Sequence, residues 1–518
     1  CEFRCKKCLC GEWQQETLVM PLVTMRPVFQ GSSVAVRCLA SLPITRESLN
    51  QNVLRAEYAV RGKIVQRANE IKNELQNGVK KPFDEILYCN IGNPQQLNQP
   101  PITFTRQVMS LLEWTALLED PRASEIFPAD AIARAKSLRS AIPGGIGAYS
   151  DSRGIEAIRQ NVADFIARRD GYPCDVKNIF LSDGATPAIT RCIHMLLRDS
   201  NDAIMIPIPQ YPLYTASVAL LGGKAEFYYL DEDSKWSLQI SELQQRISDA
   251  RSRGINPRAL VVINPGNPSG NCLSKSNIME IIEFCGKEDI AIFADEVYQE
   301  NIYDASLPFV SFKSCAYELK DRFPRLQLFS FHSTSKGFTG ECGKRGGYLE
   351  TFNVEDGVLD ELYKYASLSL CPNLTGQLST DLMVRPPFEG EESYPLYKKE
   401  RDAIMGSLKR KSEMLVAAFQ EMEGVSCNQA QGAMYAFPQI RLPARAVEAA
   451  RKEGVAPDFF YCLQLLEQTG ICVVPGSGFL QREGTFHFRT TFLPEEDKIP
   501  KVIARMKAFH AEFLAQYK

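Results

Sequence analysis

The sequence predicts an α/β protein, with a mostly parallel β-sheet covered on both faces by helices and a smaller α+β domain after it. Between Asn178 and Phe331, short β-rich runs alternate with helical stretches, a pattern that calls for crossover connections and hence parallel strands. From about Thr380 onward, one long helical stretch mixes with short apolar runs, as in a second, smaller unit. A chain of 518 residues with a 45% hydrophobic share has room for two or three domains around a large core.

Residues 1–49 read as a leader outside the fold. Cys1, Cys5, Cys8 and Cys10 crowd its start, but their C-x3-C-x2-C-x-C spacing matches no paired zinc motif. From Thr17 to Arg46 there is no Asp or Glu, while Arg26, Arg37 and Arg46 are spread among Ser, Val, Ala and Leu. That is the composition of an organelle transit segment, beginning at Met20 or Met25, and it points to mitochondria. The plainer reading is an extension without an address, which leaves the protein in the cytoplasm.

Residues 50–100 form an N-terminal segment expected to pack with the small domain. It opens on "LRAEYAVRGKIVQRANEIKNEL", whose apolar positions recur at helical spacing, and continues through "FDEILYCNIGNPQQLNQPP", an apolar run ending in a turn. Residues 101–379 make the large domain. Within it, 105–140 read as helical, and the glycines of "AIPGGIGAYSDSRG" mark a long exposed loop. Then come "IFLS", "AIMIPIP", "EFYYL", "ALVVIN", "IAIFA" and "LQLFSF" as strands, with helices near 239–252 and 275–286. Residues 380–518 form the small α+β domain, built on "ERDAIMGSLKRKSEMLVAAFQEMEG", "AMYAFPQI", "ICVVPG" and "FHFRTTFL".

Charge excludes some partners. With 59 basic against 62 acidic residues and a net charge of −3, the chain has no general field for nucleic acid or anionic lipid. Its partners are expected to be small molecules and other protein chains. No apolar run approaches the roughly 20 residues that span a bilayer. The four histidines, His194, His332, His487 and His510, are far apart, so no metal site is expected. The twelve cysteines after Cys10 are scattered singly, as reduced core cysteines are.

In open parallel sheets, ligands bind beyond the carboxyl ends of the strands. After "IFLS" come Asp183, Gly184, Ala185 and Thr186, which open a helix whose free amides suit a phosphate or a plain cap. After "AIMIPIP" comes Gln210-Tyr211-Pro212-Leu213-Tyr214, where Tyr211 is a stacking platform or a packing ring. After "ALVVIN", the turn Pro265-Gly266-Asn267-Pro268-Ser269-Gly270 presents Asn267 as an oriented donor. After "IAIFA", Asp295 leads into Tyr298; a carboxylate ending a buried strand requires a cation or several donors. After "LQLFSF", Ser333 and Ser335 lead into Lys336, and Arg345 follows within loop reach. An amine, a carboxylate, an aromatic face, an amide and a phosphate cradle on one sheet edge are the groups that pyridoxal phosphate uses.

The stretches "STSKGFTGECGKRGGY", "NPGNPSG", "ADEVYQ" and "PQYPLY" resemble the pyridoxal-phosphate-dependent class I/II aminotransferases, in the alanine aminotransferase branch and a plant-like form. The resemblance runs from about Asn50 to the C-terminus. It implies fold type I, the aspartate-aminotransferase-like transferase fold, with a large sheet domain and a smaller α+β domain. It also implies that Lys336 holds the cofactor as an internal aldimine and then moves the proton at the substrate α-carbon as general base and acid. Asp295 would keep the ring nitrogen protonated, Tyr298 and Asn267 would bond the phenolic oxygen, and Tyr211 would stack on the ring. The phosphate would lie among Ala185, Thr186, Ser333, Ser335 and Arg345. Tyr149 would reach the phosphate of a neighbouring subunit, which implies a homodimer. Arg489 would grip the substrate α-carboxylate, with Asn267 beside it, and Gly92 would close over the substrate. One departure is Ser269, where the branch usually carries Thr; the hydroxyl is kept.

The implied reaction is ping-pong transfer of an amino group from L-alanine to 2-oxoglutarate, giving pyruvate and L-glutamate, and its reverse. Glutamate:glyoxylate transamination is the alternative within the branch, and the ending "LAQYK" is unlike the peroxisomal tripeptide common there. Two readings outside transamination fit less well. Elimination or ring closure on the same cofactor, as in aminocyclopropane carboxylate synthases, lacks the "GECGKRGGY" signature. A DNA-binding regulator would need a basic helix-turn-helix, which the residues before Asn50 are too few to supply.

Overall fold

The structure, a computed structural model, describes residues 44–58 and 62–518. The chain divides into two units between Leu49 and Asn50. The cluster Cys1, Cys5, Cys8 and Cys10 and the acid-free stretch up to residue 43 lie outside the described residues.

The second unit is built on a seven-stranded sheet. Its strands are β1 (Ile179–Ser182), β2 (Asp202–Ile208), β3 (Lys224–Tyr229), β4 (Asn256–Ile263), β5 (Ala291–Asp295), β6 (Leu328–Ser333) and β7 (Gly347–Phe352). The spatial order is β1-β7-β6-β5-β4-β2-β3. Only β7 runs antiparallel to its neighbours. The first six are the strands read from the sequence. The seventh, "GYLETF", escaped that reading because it opens on glycine and carries Glu350 and Thr351, both of which are buried here.

Burial on both faces follows from the alternation of side chains along each strand. Val261 and Ile263 of β4 join one apolar core with Phe293 and Phe329, while Leu260 and Val262 join another with Ile292 and Leu328. Helices cover both sides. One of them, Lys275–Glu288, starts where Ser274 Oγ accepts from the Asn277 amide at 3.2 Å.

One helical reading is corrected, and a second is resolved into separate helices. The stretch from Leu54 to Leu75 is not one helix: Gln51–Arg55 stops early, and Lys63–Gln76 begins after Gly62, a poor helix former that serves as N-cap. The region 105–140 is four helices, Thr103–Glu113, Ala116–Glu119, Ala123–Ile126 and Ala129–Ala141. Pro121 and Pro128 stand at two of the breaks, where proline removes a helical donor and crowds the preceding turn.

The C-terminal part carries the helix Tyr394–Gln420, with proline in its first turn. A small antiparallel sheet joins Phe488–Thr491 to Tyr435–Ala436 on one side and Val474–Pro475 on the other. The N-terminal segment is tied in here: Leu87–Tyr88 pairs in parallel with Ile471–Cys472, and the Thr491 amide donates to the Cys89 carbonyl at 2.8 Å. This brings Asn90 to Asn93 across the carboxyl ends of the large sheet.

Candidate active site

A cavity of about 970 Å³ opens at those carboxyl ends. Lys336, Asp295, Tyr298, Tyr211, Asn267, Ala185, Thr186, Ser333, Ser335, Arg345, Gly92 and Arg489 all line it. Tyr149 does not. It sits in the loop after the helix Ala129–Ala141, 79% exposed, away from this cavity.

Asp295 ends β5 and is buried. Its Oδ2 accepts a hydrogen bond from the Tyr214 hydroxyl at 2.8 Å, while Oδ1 has no hydrogen-bond partner among the described residues. Burial pushes the carboxyl up to about 6, against the pull of Tyr214, the Val297 amide and Lys336. A buried carboxylate that lines a cavity with one oxygen unbonded is poised for a donor from a ligand.

Lys336 Nζ donates to the Gly92 carbonyl at 2.7 Å and lies 5.7 Å from the centroid of the Tyr298 ring. Tyr298 in turn donates its hydroxyl hydrogen to Tyr435 Oη at 3.2 Å. Arg489 is one of the largest fully buried side chains. Its guanidinium donates to Asn267 Oδ1 at 3.0 Å and to the Asn90 carbonyl at 2.6 Å, and Nε has no hydrogen-bond partner among the described residues. The rings of Tyr435 and Phe479 flank it at 4.2 and 4.6 Å, replacing some of the solvation it loses.

The cradle lies where β1 meets the helix Ala185–Leu196. Ala185 and Thr186 are its first residues, so their amides have no partner within the helix, and Gly184 offers no side-chain cap. Gly184 must be glycine, since its φ is +84° and a Cβ there would come within 2.6 Å of Arg345 Nη2. Arg345, itself left-handed at φ 55°, turns the chain from the 3-10 turn Cys342–Lys344 into β7. Its guanidinium then reaches the Asp183 carbonyl at 2.9 Å and Ser335 Oγ at 3.5 Å. Ser333 Oγ lies 3.1 Å from Ser335 Oγ. Tyr211 shares a 2.7 Å hydrogen bond with Tyr58, and burial raises its phenol well above the usual range.

These residues fit pyridoxal phosphate. The partnerless Asp295 Oδ1 suits a protonated ring nitrogen, and the two amides, two hydroxyls and Arg345 form an anion site. Lys336 supplies an amine, and Tyr298 and Asn267 supply polar groups beside it.

Sequence reasoning missed Tyr214, Tyr435, Asn90 and Cys342, all but Tyr214 lining the cavity itself. Tyr214 stood in "PQYPLY", where only Tyr211 was weighed. Tyr435 stood in a short strand whose partner across the sheet could not be read locally.

The chain matches the family described as aminotransferase class I and II over residues 121–506. A Dictyostelium discoideum protein named "Probable alanine aminotransferase, mitochondrial" is 54% identical over 481 residues, covering 92% of this chain and 90% of its own. An Arabidopsis thaliana protein named glutamate–glyoxylate aminotransferase 1 is 49% identical over 472 residues, covering 91% of this chain and 96% of its own. Among solved structures, the alanine aminotransferase from Pyrococcus furiosus superposes with a TM-score of 0.69 at 24% identity, covering 90% of this chain and all of that one.

Proposed function

We propose that this chain, which belongs to the class I and II aminotransferase family, transfers an amino group reversibly between L-alanine and 2-oxoglutarate in ping-pong fashion, giving pyruvate and L-glutamate. The observation that carries the reading is the meeting, in one cavity, of the Lys336 amine, the partnerless Asp295 oxygen and the buried Arg489 guanidinium. The name of the Dictyostelium relative supports alanine as donor.

When bound, pyridoxal phosphate supplies an aldehyde carbon that takes the amino group and a cationic ring that draws electrons from the α-carbon. Lys336 would hold its aldehyde carbon, and Asp295 would keep a proton on its ring nitrogen. Tyr298 and Asn267 would bond its phenolic oxygen, Tyr211 would cover its ring face, and Ser333, Ser335, Arg345, Ala185 and Thr186 would hold its phosphate. Arg489 takes the substrate α-carboxylate, exchanging its bonds to Asn267 and Asn90 for a bidentate pair. That would fix the α-carbon near Lys336, whose Nζ, once the substrate's amino group has taken its place, would hold the α-proton and move it to the carbon that receives the amino group. Gly92 and its neighbours cover the site and exclude water.

The proposal includes a homodimer in which Tyr149 reaches the phosphate site of the second copy. Supporting it, the Tyr149 loop is bonded to a second exposed apolar segment through Ser152 Oγ and the Leu370 carbonyl at 2.5 Å. Tyr149, Leu368 and Leu370 are 79%, 79% and 53% exposed. Mitochondrial location belongs to the same reading, supported by the composition of the leader and the relative's name. A fusion of residues 20–50 to a fluorescent reporter should enter mitochondria, and a diffuse signal contradicts the address.

Glutamate–glyoxylate transfer is the second reading, favoured by the Arabidopsis relative. Purified enzyme supplied with pyridoxal phosphate should show a higher kcat/KM for alanine with 2-oxoglutarate than for glutamate with glyoxylate. The reverse order moves the assignment to the second reading.

A further inference from the structure

Tyr435 stands between the two groups on which the proposed reaction turns. It is 2% exposed, and its ring lies under Arg489, 4.2 Å from the guanidinium carbon. Its oxygen accepts from Tyr298 at 3.2 Å. A Cβ built on Gly92 would fall 2.0 Å from that oxygen and 2.9 Å from Lys336 Nζ. Ring and hydroxyl therefore touch different parts of the machinery.

Resting on the aminotransferase reading, we propose that Tyr435 is a positioning residue with two separable roles: its ring sets Arg489 for the substrate carboxylate, and its hydroxyl makes Tyr298 the donor to the cofactor's phenolic oxygen. The second role follows from counting protons. Tyr298 has one, and as the pair stands it is spent on Tyr435. When a phenolic oxygen enters, Tyr298 can turn its hydrogen toward it only if Tyr435 donates back to the oxygen left bare. Two hydroxyls in series polarise one another, so the outer donor is strengthened.

The charges around the pair favour this direction. Without cofactor, burial would raise both phenols, but the Lys336 ammonium and the Arg489 guanidinium, with the Tyr298 hydrogen bond, bring Tyr435 below its usual value, while Tyr298 stays well above. The Arg489 guanidinium stays beside the Tyr435 ring when Lys336 holds the cofactor, which favours Tyr435 as the donor to Tyr298 once Tyr298 turns. The titratable groups facing Tyr435 are Lys336, Arg489, Tyr298, Tyr211 and Cys342.

The test compares wild type, Tyr435→Phe, Tyr435→Leu, Tyr298→Phe and the double Phe variant, each loaded with pyridoxal phosphate. Two properties are read: the pH midpoint of the cofactor's visible absorption without substrate, and KM for L-alanine. Tyr435→Phe should raise the midpoint by about half a unit, the size of one modest hydrogen bond, and leave KM within about twofold. Tyr435→Leu should raise KM about fivefold or more. The double variant should match Tyr298→Phe alone, because the hydroxyl acts through Tyr298. An unchanged midpoint in Tyr435→Phe, or additive shifts in the double variant, overturns the hydroxyl role. An unchanged KM in a folded Tyr435→Leu overturns the ring role; if that variant does not fold, Tyr435→Met replaces it on the same criterion. A wild-type protein that develops no visible band fails the aminotransferase reading itself, a result distinct from any variant effect.

Discussion

Tyr214 donates its hydroxyl hydrogen to Asp295 Oδ2 at 2.8 Å and leaves Oδ1 without a hydrogen-bond partner among the described residues. The carboxylate is thus anchored on one side and open on the other. Without cofactor, burial holds its carboxyl up at about 6 against an ordinary 3.8. A raised carboxyl stabilises the fold while protonated: the contribution is full below 3.8 and is lost as pH rises through about 6. It amounts to roughly 3 kcal/mol. Apoprotein Asp295→Asn should lose less stability than wild type between pH 4 and 7, as measured by urea unfolding, and parallel curves would contradict this account of Asp295.

Among the described residues, Lys336 makes one hydrogen bond from its amine, to the Gly92 carbonyl. Lys336→Ala should therefore melt within a few degrees of wild type while losing turnover by about a thousandfold or more. Wild-type-like activity in that variant removes Lys336 from the mechanism.

Arg489 is buried between two rings and forks to Asn267 and Asn90. A lysine cannot reproduce that planar fork. Arg489→Lys should raise KM for L-alanine and for 2-oxoglutarate by about tenfold or more, with a smaller effect on kcat. Unchanged KM values for both substrates argue against a carboxylate site here.

Gly92 passes so close to Tyr435 that a methyl group would fall 2.0 Å from its oxygen. Gly92→Ala should push the Asn90 to Asn93 segment off the cavity and cut kcat/KM about tenfold or more, without changing the far-ultraviolet circular dichroism. Full activity in Gly92→Ala shows that the segment tolerates displacement and does not close the site.

The parallel sheet was legible because its strands are continuous apolar runs punctuated by turn residues, as in β4 and β5. Lys336, Asp295 and the Ser333 to Arg345 loop were legible for the same reason, since each follows a strand at the end where ligands bind. Arg489 and Gly92 were different. They reach the cavity through pairings between distant segments, Leu87–Tyr88 with Ile471–Cys472 and Tyr435–Ala436 with Phe488–Thr491, and strands of two or four residues leave no local periodicity to read. Only the family resemblance pointed to them. The same brevity hid Tyr435. The break at Gly62 went unseen because the apolar spacing continues in register across a residue that the backbone uses as a cap.

The central claim is tested most directly by the near-ultraviolet and visible absorption of purified protein supplied with pyridoxal phosphate, recorded before and after adding L-alanine with no keto acid present. The account predicts a visible band that alanine bleaches while pyruvate appears in proportion to enzyme, because the amino group stays on the cofactor when no acceptor is present. A band that alanine leaves unchanged contradicts the alanine assignment, and no band at all contradicts the roles given to Lys336 and Asp295.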